Sequence, residues 1–203
     1  RMFWDYGGGL MTDYGVHLID QALWAKDIEV PPRSILVSGG NYSFHEHDHE
    51  TFDTMSVIYG SDDFTITWES TAGTANGPWD RNFGLAFVGD LATIVVNNSG
   101  YRIIPESAEE KDELEISAKG VTGNHRFLHS KNFIDCIKTR NKPNCPPETG
   151  RVAAMAAHSA NIALRSGSGS LQWDDKNLQY SNSSDANKYI PYNYRKPWEL
   201  PKI

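Results

Sequence analysis

Cysteine is scarce in this chain: Cys136 and Cys145 are the only two in 203 residues, too few for a disulfide framework. One falls in a predicted helix and the other in a Pro-rich loop, so two free thiols are expected and the redox compartment is left open. No apolar run approaches the roughly 20 residues that a membrane-crossing helix needs. Positive charge is also short. Lys and Arg number 19 against 26 Asp and Glu, a net charge of −7, and no basic cluster offsets it, which argues against a nucleic-acid surface. A dinucleotide fingerprint is missing too. The nearest match to G-x-G-x-x-G, Gly167-Ser168-Gly169-Ser170-Leu171-Gln172, lacks the third glycine and follows a helix instead of a strand, so it reads as a helix stop. No Ser or Cys nucleophile motif stands out, and His158-Ser159 has no acid linked to it. The opening Arg1-Met2-Phe3-Trp4 is neither a signal peptide nor a typical initiator, and reads as the middle of a longer protein.

What is present suits a globular domain. The length fits one domain with a substantial core, expected over 1–203, with a body to 170 and an extended aromatic strap over 171–203. Hydrophobic residues make up 39% and charged residues 22%, ordinary values for a soluble fold. A helix is predicted over 10–26. A β region follows, with strands over 34–44, 53–59, 64–71, 83–88, 93–96, 101–104 and 113–118. Turn signals separate them at Gly60-Ser61-Asp62-Asp63, Gly89-Asp90, Asn97 to Gly100 and 107–112. Phe127, Leu128, Phe133, Ile134 and Ile137 then form a helical stripe, and 148–165 is an Ala-rich helix. Strands followed by helices, without βαβ alternation, predict an α+β fold: an open, mostly antiparallel sheet with helices packed on one face. Trp173, Tyr180, Tyr189, Tyr192, Tyr194 and Trp198 would anchor the strap.

One segment carries chemistry. In Gly7-Gly8-Gly9-Leu10-Met11-Thr12-Asp13-Tyr14-Gly15-Val16-His17-Leu18-Ile19-Asp20, an acid and an imidazole lie four residues apart after three glycines. At helical spacing Asp13 and His17 share a face, where a carboxylate can orient the ring and raise its basicity toward an alcohol proton. Asp13, His17, Asp20, Gln21 and Trp24 fall in one narrow arc, while most of the remaining circumference asks for burial. The arc therefore reads as the wall of a wet pocket, with a local helix pair or a satisfied core histidine as the open alternative.

Other candidates compete with simpler roles. His45-Glu46-His47-Asp48-His49-Glu50 looks like a metal tract, and His45, His47 and His49 would share a face in a strand; a polar loop or strand end is the favoured reading, and no metal is expected. Trp79 and Arg81, after Gly77-Pro78, suit stacking on a sugar ring or a plain loop anchor. His125 and Arg126 open a helix where they would reach an anionic or hydroxylated substrate, or simply start the helix.

The string WDYGGGLMTDYGVHLIDQALW resembles the start of the second domain of the Gfo/Idh/MocA oxidoreductases, bacterial branch. Asn132-Phe133-Ile134-Asp135, Asn161-Ile162-Ala163-Leu164-Arg165-Ser166-Gly167, Leu171-Gln172-Trp173-Asp174, Asp185-Ala186-Asn187 and Tyr194-Arg195-Lys196-Pro197-Trp198 extend the likeness in order, from residue 4 to residue 198. The resemblance implies a NAD(P)-dependent dehydrogenase of a sugar, cyclitol or related polyol. NAD or NADP would be bound mainly by an N-terminal Rossmann domain absent from this chain. It implies His17 as general acid/base, Asp13 orienting it or binding a hydroxyl, Asp20 beside them, and Gly7, Gly8 and Gly9 close to cofactor or substrate. It also implies a homo-oligomer joined through the free sheet face. Two alternatives stay open: a NAD-dependent glycosidase of the same superfamily, and a non-catalytic binding or oligomerisation module.

Overall fold

The computed structural model describes residues 1–107, 114–117, 124–191 and 194–199. A π-helical turn, Met11–Gly15, leads into α1 (Val16–Ala25). Strands β1 (Ser34–Gly40), β2 (Thr54–Gly60) and β3 (Thr65–Thr71) follow. After a short 3-10 turn, Pro78–Asp80, come β4 (Leu85–Val88), β5 (Ala92–Asn97), β6 (Gly100–Pro105) and β7 (Leu114–Ser117). Helices α2 (His125–Thr139) and α3 (Pro147–Arg165), strands β8 (Ser170–Asp174) and β9 (Gln179–Tyr180) and the short α4 (Ser184–Asn187) complete the order. The expected α+β class holds, but the strands form two antiparallel sheets, β3-β2-β1-β8-β9 and β4-β5-β6-β7, where the strand pattern had suggested one. The expected turn over 107–112, the outer ends of the 113–118 strand and Tyr192 fall wholly or partly outside the described residues.

The chain divides into two compact units, 1–73 with 151–203, and 74–150. In the first, period-2 alternation decides what each sheet face meets. Ile35 pairs with Tyr59 and Leu171, and Val57 with Trp68, so these side chains share one face. That face and the helices form a single buried cluster with Met11, Ile19, Leu23, Ala153, Ala156, Ala157, Ala160 and Ala163. Burying each of the larger side chains contributes about 1.5–3 kcal/mol. The run of alanines brings α3 close to the sheet, and the Tyr59 hydroxyl donates to the Ala156 carbonyl at 3.0 Å. The opposite face carries Ser34, Leu36, Ser38, Ser56, Ile58, Thr65 and Thr67, all exposed. Gly60 to Asp63 makes the predicted hairpin, closed by the Ser61 N–H on the Phe64 carbonyl at 3.1 Å.

The segment after 170 does not run as an extended strap throughout. Leu171 is fully buried, and β8 lies in the sheet beside β1. Ser183 caps α4 by accepting from the Ala186 N–H, and Arg165 lies over the rings of Trp4 (4.2 Å) and Tyr189 (4.7 Å).

In the second unit, β5–β6 forms a hairpin at Asn97 and Gly100, as the turn residues predict. Asn124 caps α2 by accepting from the Phe127 N–H at 3.3 Å. The predicted stripe of α2 is present, but Phe127, Leu128, Phe133, Ile134 and Ile137 are each exposed. Cys136 and Cys145 are free thiols.

Candidate active site

The glycine turn folds back on the residues before it. The Tyr6 and Gly7 N–H groups both donate to the Phe3 carbonyl at 3.0 Å, and the Gly9 N–H donates to that of Arg1 at 3.0 Å. Side chains are excluded there by the protein itself. A Cβ on Gly8 would stand 2.5 Å from Thr12 Oγ1 and 2.8 Å from Asn161 Nδ2. Gly9 has φ +67°, and a Cβ there would stand 2.7 Å from Thr51 Cβ. The close approaches that Gly8 and Gly9 permit in this structure are thus internal. Gly7, half-buried, faces the Arg1 backbone in the same way.

The turn feeds the π-helical segment that carries Asp13. The sequence predicts an unbroken α-helix from residue 10, in which Asp13 and His17 stack one above the other. The π turn instead bonds i to i+5 and winds more widely, which alters that register. Asp13 pairs with the Arg1 guanidinium, both partly exposed, and makes no hydrogen bond to His17. His17 is exposed on the first turn of α1, and Asp20, half-buried, sits three residues on. Gln21 and Trp24 continue the exposed stripe, with Trp24 81% exposed. Leu18, Ile19, Ala22 and Leu23 are buried on the other side. Gly15 fits the helix against the sheet, since a Cβ there would be 2.9 Å from Met11 Sδ and 3.2 Å from Trp68. The stripe His17–Asp20–Gln21–Trp24 therefore faces outward as a wet surface. Two cavities lie elsewhere, one of about 460 Å³ beside Arg33 and Trp173 and one of about 550 Å³ beside Phe133 and Cys145.

A loop over 41–53 braces the turn. The Glu50 and Thr51 N–H groups donate to the Met2 carbonyl at 2.9 and 3.2 Å, and the Trp4 N–H donates to Glu50 Oε2 at 2.8 Å. The loop is itself built around Asp53, 4% exposed. Its carboxylate accepts from the N–H groups of Tyr42 (2.9 Å), Ser43 (3.0 Å) and Phe44 (3.2 Å) and from the Thr54 hydroxyl (2.8 Å). Burial pushes its pKa up, but these donors outweigh burial and hold it at about 2. The histidine tract belongs to this loop and not to a strand, so its three rings do not share a strand face. His45 is exposed, His47 stacks on Phe44 at 5.4 Å, and the largely buried His49 places Nε2 3.6 Å from Asp53 Oδ2. Among the described residues no three His, Cys, Asp or Glu side chains are grouped to hold a metal ion.

The remaining candidates lie in the second unit. Trp79 is 42% exposed, at φ +61°, and its carbonyl accepts from Arg102 Nη2 at 3.3 Å. Arg81 forms an ion pair with Glu115 at 3.0 Å. His125 and Arg126 are exposed on the first turn of α2. Sequence reasoning missed Asp53, Thr51 and Asn161, whose roles depend on partners brought together only by folding. The Arg1–Asp13 pair left no signal either.

The Gly167-Ser168-Gly169 turn does not form a dinucleotide cradle. Gly167 (φ +68°) and Gly169 (φ +64°) end α3, and the N–H groups of Gly167, Ser168 and Gly169 donate to the Leu164 and Ala163 carbonyls, leaving them no part in holding a phosphate.

No family model matches the chain, and no curated protein matches it in sequence. Solved structures do. The yvaA protein of Bacillus subtilis, classed among oxidoreductases, matches with a TM-score of 0.60 and 12% identity, over 81% of this chain and 52% of its own. An oxidoreductase from Thermotoga maritima matches at TM-score 0.57 and 13% identity, over 85% and 46%. The WlbA dehydrogenase from Bordetella pertussis, solved with NADH and UDP-GlcNAcA, matches at 0.50 and 15%, over 86% and 48%. The chain spans about half the length of these proteins. It shares with them the α+β fold of that portion of an oxidoreductase.

Proposed function

We propose that this chain is the substrate-side domain of a NAD(P)-dependent oxidoreductase of the Gfo/Idh/MocA type, acting on a sugar, cyclitol or related polyol. The observation that carries the reading is the match to about half of each solved oxidoreductase, with an exposed imidazole, His17, just beyond the glycine turn. The N–H groups of the Gly167–Gly169 turn are spent on α3 carbonyls, and the reading assigns NAD or NADP to a Rossmann domain outside this chain.

In this reading His17 is the general acid/base. Its ring is unencumbered by Asp13 and open to a hydroxyl, whose proton it takes as the carbinol is oxidised and returns in the reverse direction. Asp20, three residues and nearly one turn along the same stripe, accepts a hydrogen bond from a neighbouring hydroxyl. Asp13, neutralised by Arg1, holds the start of the segment and adds a second polar contact. The open sheet face around Leu36 and Ile58 joins two copies of the chain.

The test uses the protein with its nucleotide-binding half, NAD⁺ or NADP⁺, and a panel of sugars, cyclitols and polyols, followed by absorbance of the reduced cofactor. His17→Ala should lower turnover by about two to four orders of magnitude while leaving the folded spectrum intact. Unchanged turnover in that variant, on a substrate the native protein oxidises, refutes the assignment. Light scattering at micromolar concentration checks the oligomer: a dimer or larger is expected, and a monomer removes that part.

A further inference from the structure

The side of α3 that faces the core is lined by small residues, with Ala156, Ala157, Ala160 and Ala163 all at 0–1% exposure. Position 161 breaks the pattern with an amide that is 4% exposed. A buried amide needs a partner, and Asn161 Nδ2 donates to the Gly8 carbonyl at 2.8 Å, across 153 residues of sequence. The same contact excludes a side chain at Gly8, whose Cβ would lie 2.8 Å from that nitrogen. On the next residue Thr51, 1% exposed, closes on Gly9. The turn is therefore gripped from two sides, by α3 at Gly8 and by the 41–53 loop at Gly9. Two residues on, the chain enters the π turn bearing Asp13 and then the helix bearing His17. A π turn is held chiefly by its surroundings, so what fixes its entry fixes the direction of its side chains.

We propose that Asn161 is a positioning residue: by pinning the Gly8 carbonyl it sets where Asp13 and His17 point. This rests on the reading of His17 as the proton-transfer group. It assigns to α3 a part in the site although no α3 side chain is asked to touch substrate.

The test compares Asn161→Ala, Asn161→Asp and Ser159→Ala in the 203-residue chain. Ser159 is a matched control. It is equally buried on the same helix, but its hydroxyl bonds to that of Tyr180 at 2.8 Å, away from the turn. Two quantities are read: hydrogen-exchange protection factors over residues 8–15, and the ring resonances of His17 by NMR. Asn161→Ala should lower protection over 8–15 at least tenfold and shift the His17 ring signals, while Ser159→Ala leaves both as in the native chain. At pH 7 Asn161→Asp sets a carboxylate against the Gly8 carbonyl and should behave like the alanine variant. On acidification its protonated carboxyl donates, and protection should return toward the native value. Equal effects from Ser159→Ala, native His17 signals in Asn161→Ala, or an aspartate variant that does not recover would each overturn the proposal. If the alanine variant does not fold, acid recovery of the aspartate variant decides alone. None of these readouts needs turnover, so a failed positioning role and a failed oxidoreductase reading are told apart.

Discussion

Asp53 is the group whose removal has the clearest calculable cost. Its carboxylate accepts from three backbone N–H groups and one hydroxyl within 2.8–3.2 Å, and sits at a pKa of about 2 against 3.8 for a free aspartate. That difference corresponds to about 2 kcal/mol favouring the ionised, folded form. Because the folded pKa is the lower one, that contribution is complete above the unfolded value of 3.8 and is lost as pH falls through 2. In Asp53→Asn the charge disappears, one oxygen serves donors that had two, and the amide N–H group meets others of its kind. A loss of about 2–4 kcal/mol at pH 7 is expected. Urea unfolding of both proteins at pH 7 and pH 3 is the assay. The gap between them should narrow by about 1 kcal/mol at pH 3, where the native carboxylate has already given up part of its advantage. Exchange of the backbone over 41–53 should rise in the variant, and that of residues 2–4 with it, since Glu50 and Thr51 hold Met2. A gap that stays constant between the two pH values, or a variant within about 0.5 kcal/mol of the native protein at pH 7, refutes the electrostatic account.

Two further substitutions report on the turn and the core. Gly9→Ala meets both a left-handed backbone and a Cβ 2.7 Å from Thr51, so it should cost about 2–4 kcal/mol by thermal or urea unfolding; Thr51→Ala in the same chain should recover part of that loss, and strict additivity would contradict the contact. Tyr59→Phe leaves the Ala156 carbonyl without its buried donor and should cost about 1–2 kcal/mol with the sheet spectrum unchanged, whereas a neutral result would mean the hydroxyl is not bonded there.

Which of these features could be read from the chain alone follows from how far apart their causes lie. The alternation Met55, Val57, Tyr59 and the Gly60–Asp63 turn are local, so β2, its hairpin and β3 stand where the pattern puts them. The same kind of reading extends β1 to Phe44, but pairing ends at Gly40. A Cβ on the preceding Gly39 would already be 2.3 Å from the Thr54 carbonyl oxygen, and beyond it the backbone N–H groups turn inward to Asp53, eleven or so residues away in sequence. The helix over 10–26 is legible from its apolar face, yet its first turn is π-wound. Nothing in the local string distinguishes five residues bonded i to i+5 from five bonded i to i+4. The contacts around it come from far along the chain: Thr51 and Asn161 pack against the glycines before it, and Trp68 receives Gly15 at its end. The contiguous Asp13-to-His17 spacing offers Asp13 as the partner of the His17 ring. The structure gives Asp13 to Arg1, and the π turn shows why: four residues of spacing place two side chains together only when the backbone between them is an α-helix. The pairing of Asp13 and His17 is therefore a property of the segment's winding. It can be changed by whatever moves the Gly8 carbonyl, without altering either residue.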